Sequence, residues 1–166
     1  MAHRLQWLDR QQGWLLQQTD MATLRPQPSL KGRALRLLSQ REHSRLELER
    51  KLAEHETEPG QLAKALDELQ ARGFISEERV IESVVHRRAA KLGTARLKQE
   101  LHAKGLSGEI VSEALEQLRG TELERAREVW ARKFGESATE PKEKARQIRF
   151  LISRGFAAEV VRKVVG

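Results

Sequence analysis

Two groups of basic side chains carry the strongest chemical signal in this chain. Arg87, Arg88 and Lys91 are followed at once by Arg96 and Lys98, and a second group holds Arg132, Lys133, Arg146 and Arg149, with Lys142, Lys144 and Arg154 nearby. Guanidinium and ammonium groups donate hydrogen bonds and accept none, so such concentrations suit the recognition of anions. If both groups face one concave surface, they can follow an acidic or phosphate-lined groove. Single members have a second explanation. A cation near a helix C-terminus stabilises by a few tenths to about 1 kcal/mol, which suffices for Lys91 and Lys104.

Other chemistry finds little support in the sequence. The five histidines (3, 43, 55, 86 and 102) form no pair at metal-ligand spacing, and cysteine is absent, so a zinc site or thiolate nucleophile is not expected. No glycine-rich loop follows a strand pattern, which removes the usual phosphate cradle of nucleotide enzymes. Carboxylates such as Glu47, Glu49, Glu77, Glu78 and Glu100 sit at helix starts or beside Lys and Arg, where capping and ion pairing are their ordinary roles. The expectation is a non-enzymatic protein without cofactor or metal.

The 166 residues carry a formal charge of +7 at a pI near 10.1. Residues 1–20 contain two basic and two acidic side chains, so the whole excess lies beyond Asp20. A nucleic acid or nucleoprotein partner follows from that excess, while the same charge also serves solubility. No apolar run approaches the roughly 20 residues needed to span a bilayer, and the N-terminus lacks the order of a secretory signal. A cytoplasmic monomer without membrane contact is therefore expected.

The elements that must position these cations read as helices. Charged residues make up 33% of the chain and aromatics 4%, a balance that favours ion-paired helices over strands. Gly93–Leu118 is the clearest unit: Thr94 is expected to cap a helix carrying Leu97 and Leu101, Lys104-Gly105-Leu106 ends it, and Ser107 is expected to cap a helix with Ile110, Val111, Ala114, Leu115 and Leu118 on one face. The basic-glycine-apolar stop recurs at Arg72-Gly73-Phe74 and Arg154-Gly155-Phe156. Leu101, Gly105 and Val111 match Leu151, Gly155 and Val161 at an offset of fifty.

The remaining segments fit the same scheme. Ser44 to Glu47 and Thr121 to Glu124 have the form of capping boxes, Ser76 opens a helix bearing Val80, Ile81, Val84 and Val85, and Pro59 and Pro141 are expected in first helical turns. The final two helices are expected to bury Ile148, Leu151, Ile152, Phe156 and Val161. The fold class is all-α: three tandem three-helix repeats over residues 30–75, 76–120 and 121–166, forming an elongated, curved array. Residues 1–29, with a Pro26-Gln27-Pro28 break, are expected to be a poorly ordered tail or arm, and Met21 offers a second start. A helix-turn-helix DNA reader is disfavoured, because Ser107-Gly108-Glu109 opens its helix without base-reading side chains.

The chain resembles the RecX family of regulators of the RecA recombinase. The resemblance runs from about Ala34 to the C-terminus through Gly73-Phe74-Ile75-Ser76, Leu92-Gly93-Thr94-Ala95-Arg96-Leu97, Gln99-Glu100-Leu101 and Lys104-Gly105-Leu106. Lys144, Gln147, Arg149-Phe150-Leu151 and Arg154-Gly155-Phe156 resemble the family's closing pattern, and Ser44 to Leu52 its first short-helix motif. Val80 departs from a usual aromatic and Thr94 from a frequent proline. The resemblance implies nine helices, binding in the groove of the RecA–DNA filament, and inhibition of recombinase and ATPase activity, with weak direct DNA binding. It also implies that Arg87, Arg88, Lys91, Arg96, Lys98, Arg132, Lys133, Arg146 and Arg149 contribute filament contacts. The alternative is a general basic DNA-binding protein that does not depend on RecA.

Overall fold

A computed structural model describes residues 27–166, and the expected N-terminal arm lies outside the described residues up to position 26. Nine α-helices and no strand occur among the described residues. They are α1 (Leu30–Leu38), α2 (Arg45–Leu52), α3 (Gln61–Ala71), α4 (Glu77–Arg88), α5 (Thr94–Ala103), α6 (Glu109–Arg119), α7 (Glu122–Lys133), α8 (Pro141–Ser153) and α9 (Ala158–Val165). A short 3-10 turn, Ala53–His55, follows α2.

Each set of three helices closes over its own core. Ala34, Leu48, Leu66 and Ile75 are buried in the first, Val80, Val84, Leu97, Leu101, Val111 and Leu115 in the second, and Ala126, Leu151, Phe156 and Val161 in the third. Every fully buried leucine or valine contributes roughly 1.5–3 kcal/mol relative to exposure. A single pair of these helices, eight to thirteen residues each, could not hold itself folded.

Local chemistry explains several boundaries. Ser44 forms a complete capping box: its hydroxyl accepts from the Glu47 N–H at 3.2 Å and its own N–H donates to the Glu47 carboxylate at 3.0 Å. Ser76 accepts from the Arg79 N–H, and Pro141 occupies the first position of α8. The three glycine stops share one hydrogen-bond pattern. The N–H groups of Phe74, Leu106 and Phe156 reach back to the carbonyls of Leu69, Leu101 and Leu151 at 2.9, 3.0 and 3.3 Å, across glycines with φ of +73°, +80° and +83°.

The stops differ in place. Gly73 follows the third helix of its set, whereas Gly105 and Gly155 follow second helices. Leu106 and Phe156 are therefore buried, while Phe74 is 46% exposed and Ile75 enters the core instead.

Other expected caps take a different form in the structure. Gly93, not Thr94, is the N-cap of α5; Thr94 is already helical and its N–H donates to the buried Glu122 carboxylate at 3.0 Å. Gly108, not Ser107, caps α6, in a conformation (φ +86°, ψ −159°) that is essentially restricted to glycine. Thr121 forms no capping box, because its backbone is near-helical and its hydroxyl donates to the Leu118 carbonyl at 3.2 Å. Pro59 precedes α3, whose N-cap is Gly60. Ile152 is 44% exposed, since the buried stripe of α8 runs through Gln147 and Leu151.

Adjacent units meet by a repeated relation. The glycine stop after the second helix of one unit docks on the N-cap of the second helix of the preceding unit. At the first junction the Ser44 hydroxyl donates to the Lys104 carbonyl at 2.6 Å, and Leu46 packs against Gly105. At the second, the Gly93 N–H donates to the Arg154 carbonyl at 2.9 Å and the Ala95 N–H to the Gly155 carbonyl at 3.2 Å.

Candidate functional site

The second junction is where the two basic groups of the sequence meet. α4 ends at Arg88, and the following turn brings Lys91 beside Arg132 and Lys133 at the end of α7 and Arg154 after α8. These four cations, with Val129 and Phe150, line a cleft of about 260 Å³. Its floor is fixed by aromatic contacts. Phe150 meets Phe134 edge to face at 5.2 Å, and the Arg154 guanidinium lies 4.3 Å above the Phe150 ring.

Arg125 holds this arrangement from below. Its guanidinium donates to the carbonyls of Ala89 (2.8 Å), Leu92 (2.7 Å) and Leu118 (3.0 Å), tying the end of α4 and the end of α6 to α7. Burial lowers its affinity for its proton, partly opposed by the Glu122 carboxylate. A planar fork with several donors suits three carbonyls that one ammonium could not serve together.

All nine predicted site residues are exposed, but their surroundings differ. Lys91, Arg132 and Lys133 converge in the cleft. Arg88 pairs with Glu100 at 3.1 Å and thereby staples α4 to α5, while Arg87 donates to the Ser83 carbonyl of its own helix at 3.0 Å. Arg96 donates to Gln99 at 3.1 Å, and its backbone packs on Gly155. Lys98 lines a separate cleft of about 460 Å³ whose charge is mixed, with Arg119, Glu122 and Glu159. Arg146 pairs with Glu143 at 3.2 Å, and Arg149 has no ion-pair partner among the described residues. None of these last six lines the four-cation cleft.

Arg125 and Arg154 complete the site and were not singled out as contact residues by the sequence. Arg154 is 63 positions from Lys91, so only tertiary structure brings them together. For Arg125 the available signal was its place three residues after Glu122 in a helix that otherwise reads as an ordinary charged surface.

The first junction is polar in a different way. Glu47 accepts from Arg41 at 2.9 Å and Lys104 at 2.7 Å, and Arg79 reaches Glu42 at 2.9 Å. Burial pushes the Glu47 carboxyl up, but the hydrogen bonds from Arg41, Lys104 and the Ser44 N–H outweigh it and hold the group at about 2. His43, almost wholly buried, is pushed below its ordinary value by burial. These groups serve the junction and leave no cation over for a ligand.

Comparisons with known proteins agree with this architecture. Residues 31–69, 76–115 and 121–165 match, in order, the models of the first, second and third three-helix domains of RecX. The chain is 57% identical over 145 residues to the regulatory protein RecX of Leptothrix cholodnii, covering 87% of this chain and 92% of that one. It is 46% identical over 145 residues to the regulatory protein RecX of Ralstonia nicotianae, with coverage of 87% and 91%. The crystal structure of RecX from Lactobacillus salivarius superimposes with a TM-score of 0.66 over 82% of this chain and 92% of that one, at 19% identity, a likeness of fold. With three domain models matched in sequence order and close relatives covered almost end to end, the chain belongs to the RecX family of regulatory proteins.

Proposed function

We propose that this protein is a non-enzymatic regulator that binds RecA–DNA filaments and inhibits RecA ATP turnover and strand exchange, restraining recombination and the SOS response in the cytoplasm. The observation that carries the reading is the convergence of Lys91, Arg132 and Lys133 from separate units onto one face of a RecX chain. An array of this kind acts by occupying a surface. Its exposed cations supply attraction to a polyanionic assembly, and its junctions hold those cations at fixed spacing. Arg87, Arg88, Arg96, Lys98, Arg146 and Arg149 extend the same contact surface in this reading.

The test is to add the purified protein to RecA on single-stranded DNA and follow ATP hydrolysis. Turnover falls if the reading is right. Unchanged turnover at several-fold excess over RecA protomers overturns it. The charge of +7 favours one competing reading, a general DNA-binding protein. That reading requires salt-sensitive binding to bare DNA as tight as to RecA-coated DNA.

A further inference from the structure

The cleft at the second junction gathers cations from two units with one ion pair among them; a cleft of about 390 Å³ in the first unit, lined by Arg33, Arg36 and Lys51, also lacks a carboxylate but draws its cations from a single unit. In the first unit Arg41 pairs with Glu47, Arg45 with Glu49 and Asp67, and Lys31 with Glu68. A larger cleft there, about 650 Å³, is lined by Lys31, Arg33 and Lys64 but also by Glu54 and Glu68, so its cations have counter-charges beside them. The 460 Å³ cleft beside Lys98 is likewise mixed. The four-cation cleft contains no carboxylate in its lining, and Lys91, Lys133 and Arg154 have no ion-pair partner among the described residues. Arg132 alone is paired, with an exposed Glu128 at 2.9 Å.

Gathering like charges around a small cleft is unfavourable without an anion to share. Helix ends account for single cations here, Lys91 after α4 and Arg132 and Lys133 in the last turn of α7, but not for their convergence with Arg154. Two further features prepare the cleft for a ligand. Arg154 is seated over the Phe150 ring, 4.3 Å from its centre, and its Nε is shielded from solvent with no hydrogen-bond partner among the described residues. Preorganised guanidinium and ammonium donors around one point suit a tetrahedral oxyanion with several acceptor oxygens.

We propose that the cleft formed by Lys91, Arg132, Lys133 and Arg154 is a phosphate subsite that seats a backbone phosphodiester of single-stranded DNA. It rests on the reading above only for the source of that strand, the DNA of the bound filament. Val129 and the Phe150 edge give the cleft an apolar wall, so the subsite takes a phosphate with its sugar rather than a fully hydrated ion. Nothing in the lining reads a base, and binding through it is independent of sequence.

The experiment uses the full chain, a fluorescein-labelled oligothymidylate and anisotropy across a salt series, without RecA. Lys91→Met with Lys133→Met lowers affinity about tenfold and makes the slope of log K against log salt shallower by about 0.7 for the phosphate lost. A charge-matched control, Lys142→Met with Lys163→Met, changes affinity less than twofold. A methylphosphonate oligothymidylate binds the wild-type and cleft variants equally weakly. Equal losses in both double variants, or no loss in the cleft variant, overturn the subsite. Stabilisation of the wild-type by inorganic phosphate, with oligothymidylate affinity unaffected by the cleft substitutions, also overturns it, since the phosphate would then be a free one. Failure of the regulatory reading is seen separately, as undiminished RecA ATP turnover with the wild-type protein.

Discussion

Gly93 and Gly155 touch backbone to backbone: a β carbon added to Gly93 would lie 2.2 Å from the Gly155 carbonyl oxygen, and one on Gly155 would lie 2.4 Å from the Arg96 nitrogen. The second junction therefore has no room for any side chain at either position, and Gly155 additionally has φ +83°. Gly93→Ala is expected to cost about 1–3 kcal/mol through forced separation of the two units. Thermal melting checks this, with a fall of roughly 5–10 °C expected. Gly120→Ala is the control, since open space surrounds it and its φ is −58°.

Arg125→Met removes four hydrogen bonds and strands the Ala89 and Leu92 carbonyls at the same junction, while the Leu118 carbonyl keeps the Thr121 N–H and hydroxyl. A loss of about 2–4 kcal/mol is expected from denaturant unfolding. Lys should restore little of it, because an ammonium cannot match the guanidinium fork.

Acid should loosen the first junction. The folded-state value of Glu47 lies below its ordinary one, so its contribution is complete above about pH 4.5 and is lost as pH falls toward 2. His43 is also lowered, and a base that is harder to protonate when folded contributes above about pH 6.5 and loses that contribution below it. Both act in the same direction. Melting temperature should fall first below pH 6.5 and again below pH 4.5, and Glu47→Gln should abolish the lower step while costing stability at neutral pH.

Arg87→Glu combined with Arg88→Glu should weaken binding to RecA-coated DNA by at least tenfold while helicity by circular dichroism stays unchanged. Arg88 also pairs with Glu100, so Arg88→Glu combined with Glu100→Arg separates the two roles. The swap should recover melting temperature but leave the Arg87→Glu loss of binding in place.

Much of the fold was legible because its signals are local. The Ser44 capping box, the Ser76 cap and the three glycine stops each depend on residues within a turn or two, and the fifty-residue offset is the recurrence of such a local pattern. The misread caps have different causes. At Thr94 the helix start is satisfied by Glu122, 28 residues away, and at Thr121 the neighbouring helix end takes the hydroxyl. A long-range partner overrode the local preference at Thr94, and a contact three residues back did so at Thr121. The candidate site was legible as two basic groups but not as a cleft, because the selection of Lys91, Arg132 and Lys133 from nine exposed cations is made by the docking of the third unit on the second.

The two junctions are joined by different materials. Side-chain hydroxyl, carboxylate and ammonium groups connect the first pair of units, whereas the second pair adds direct main-chain hydrogen bonds and facing glycines to the side-chain links of Arg125 and Glu122. Side-chain links retain torsional freedom that main-chain links lack. Under tension applied at the chain ends, the first unit is therefore expected to separate before the second and third.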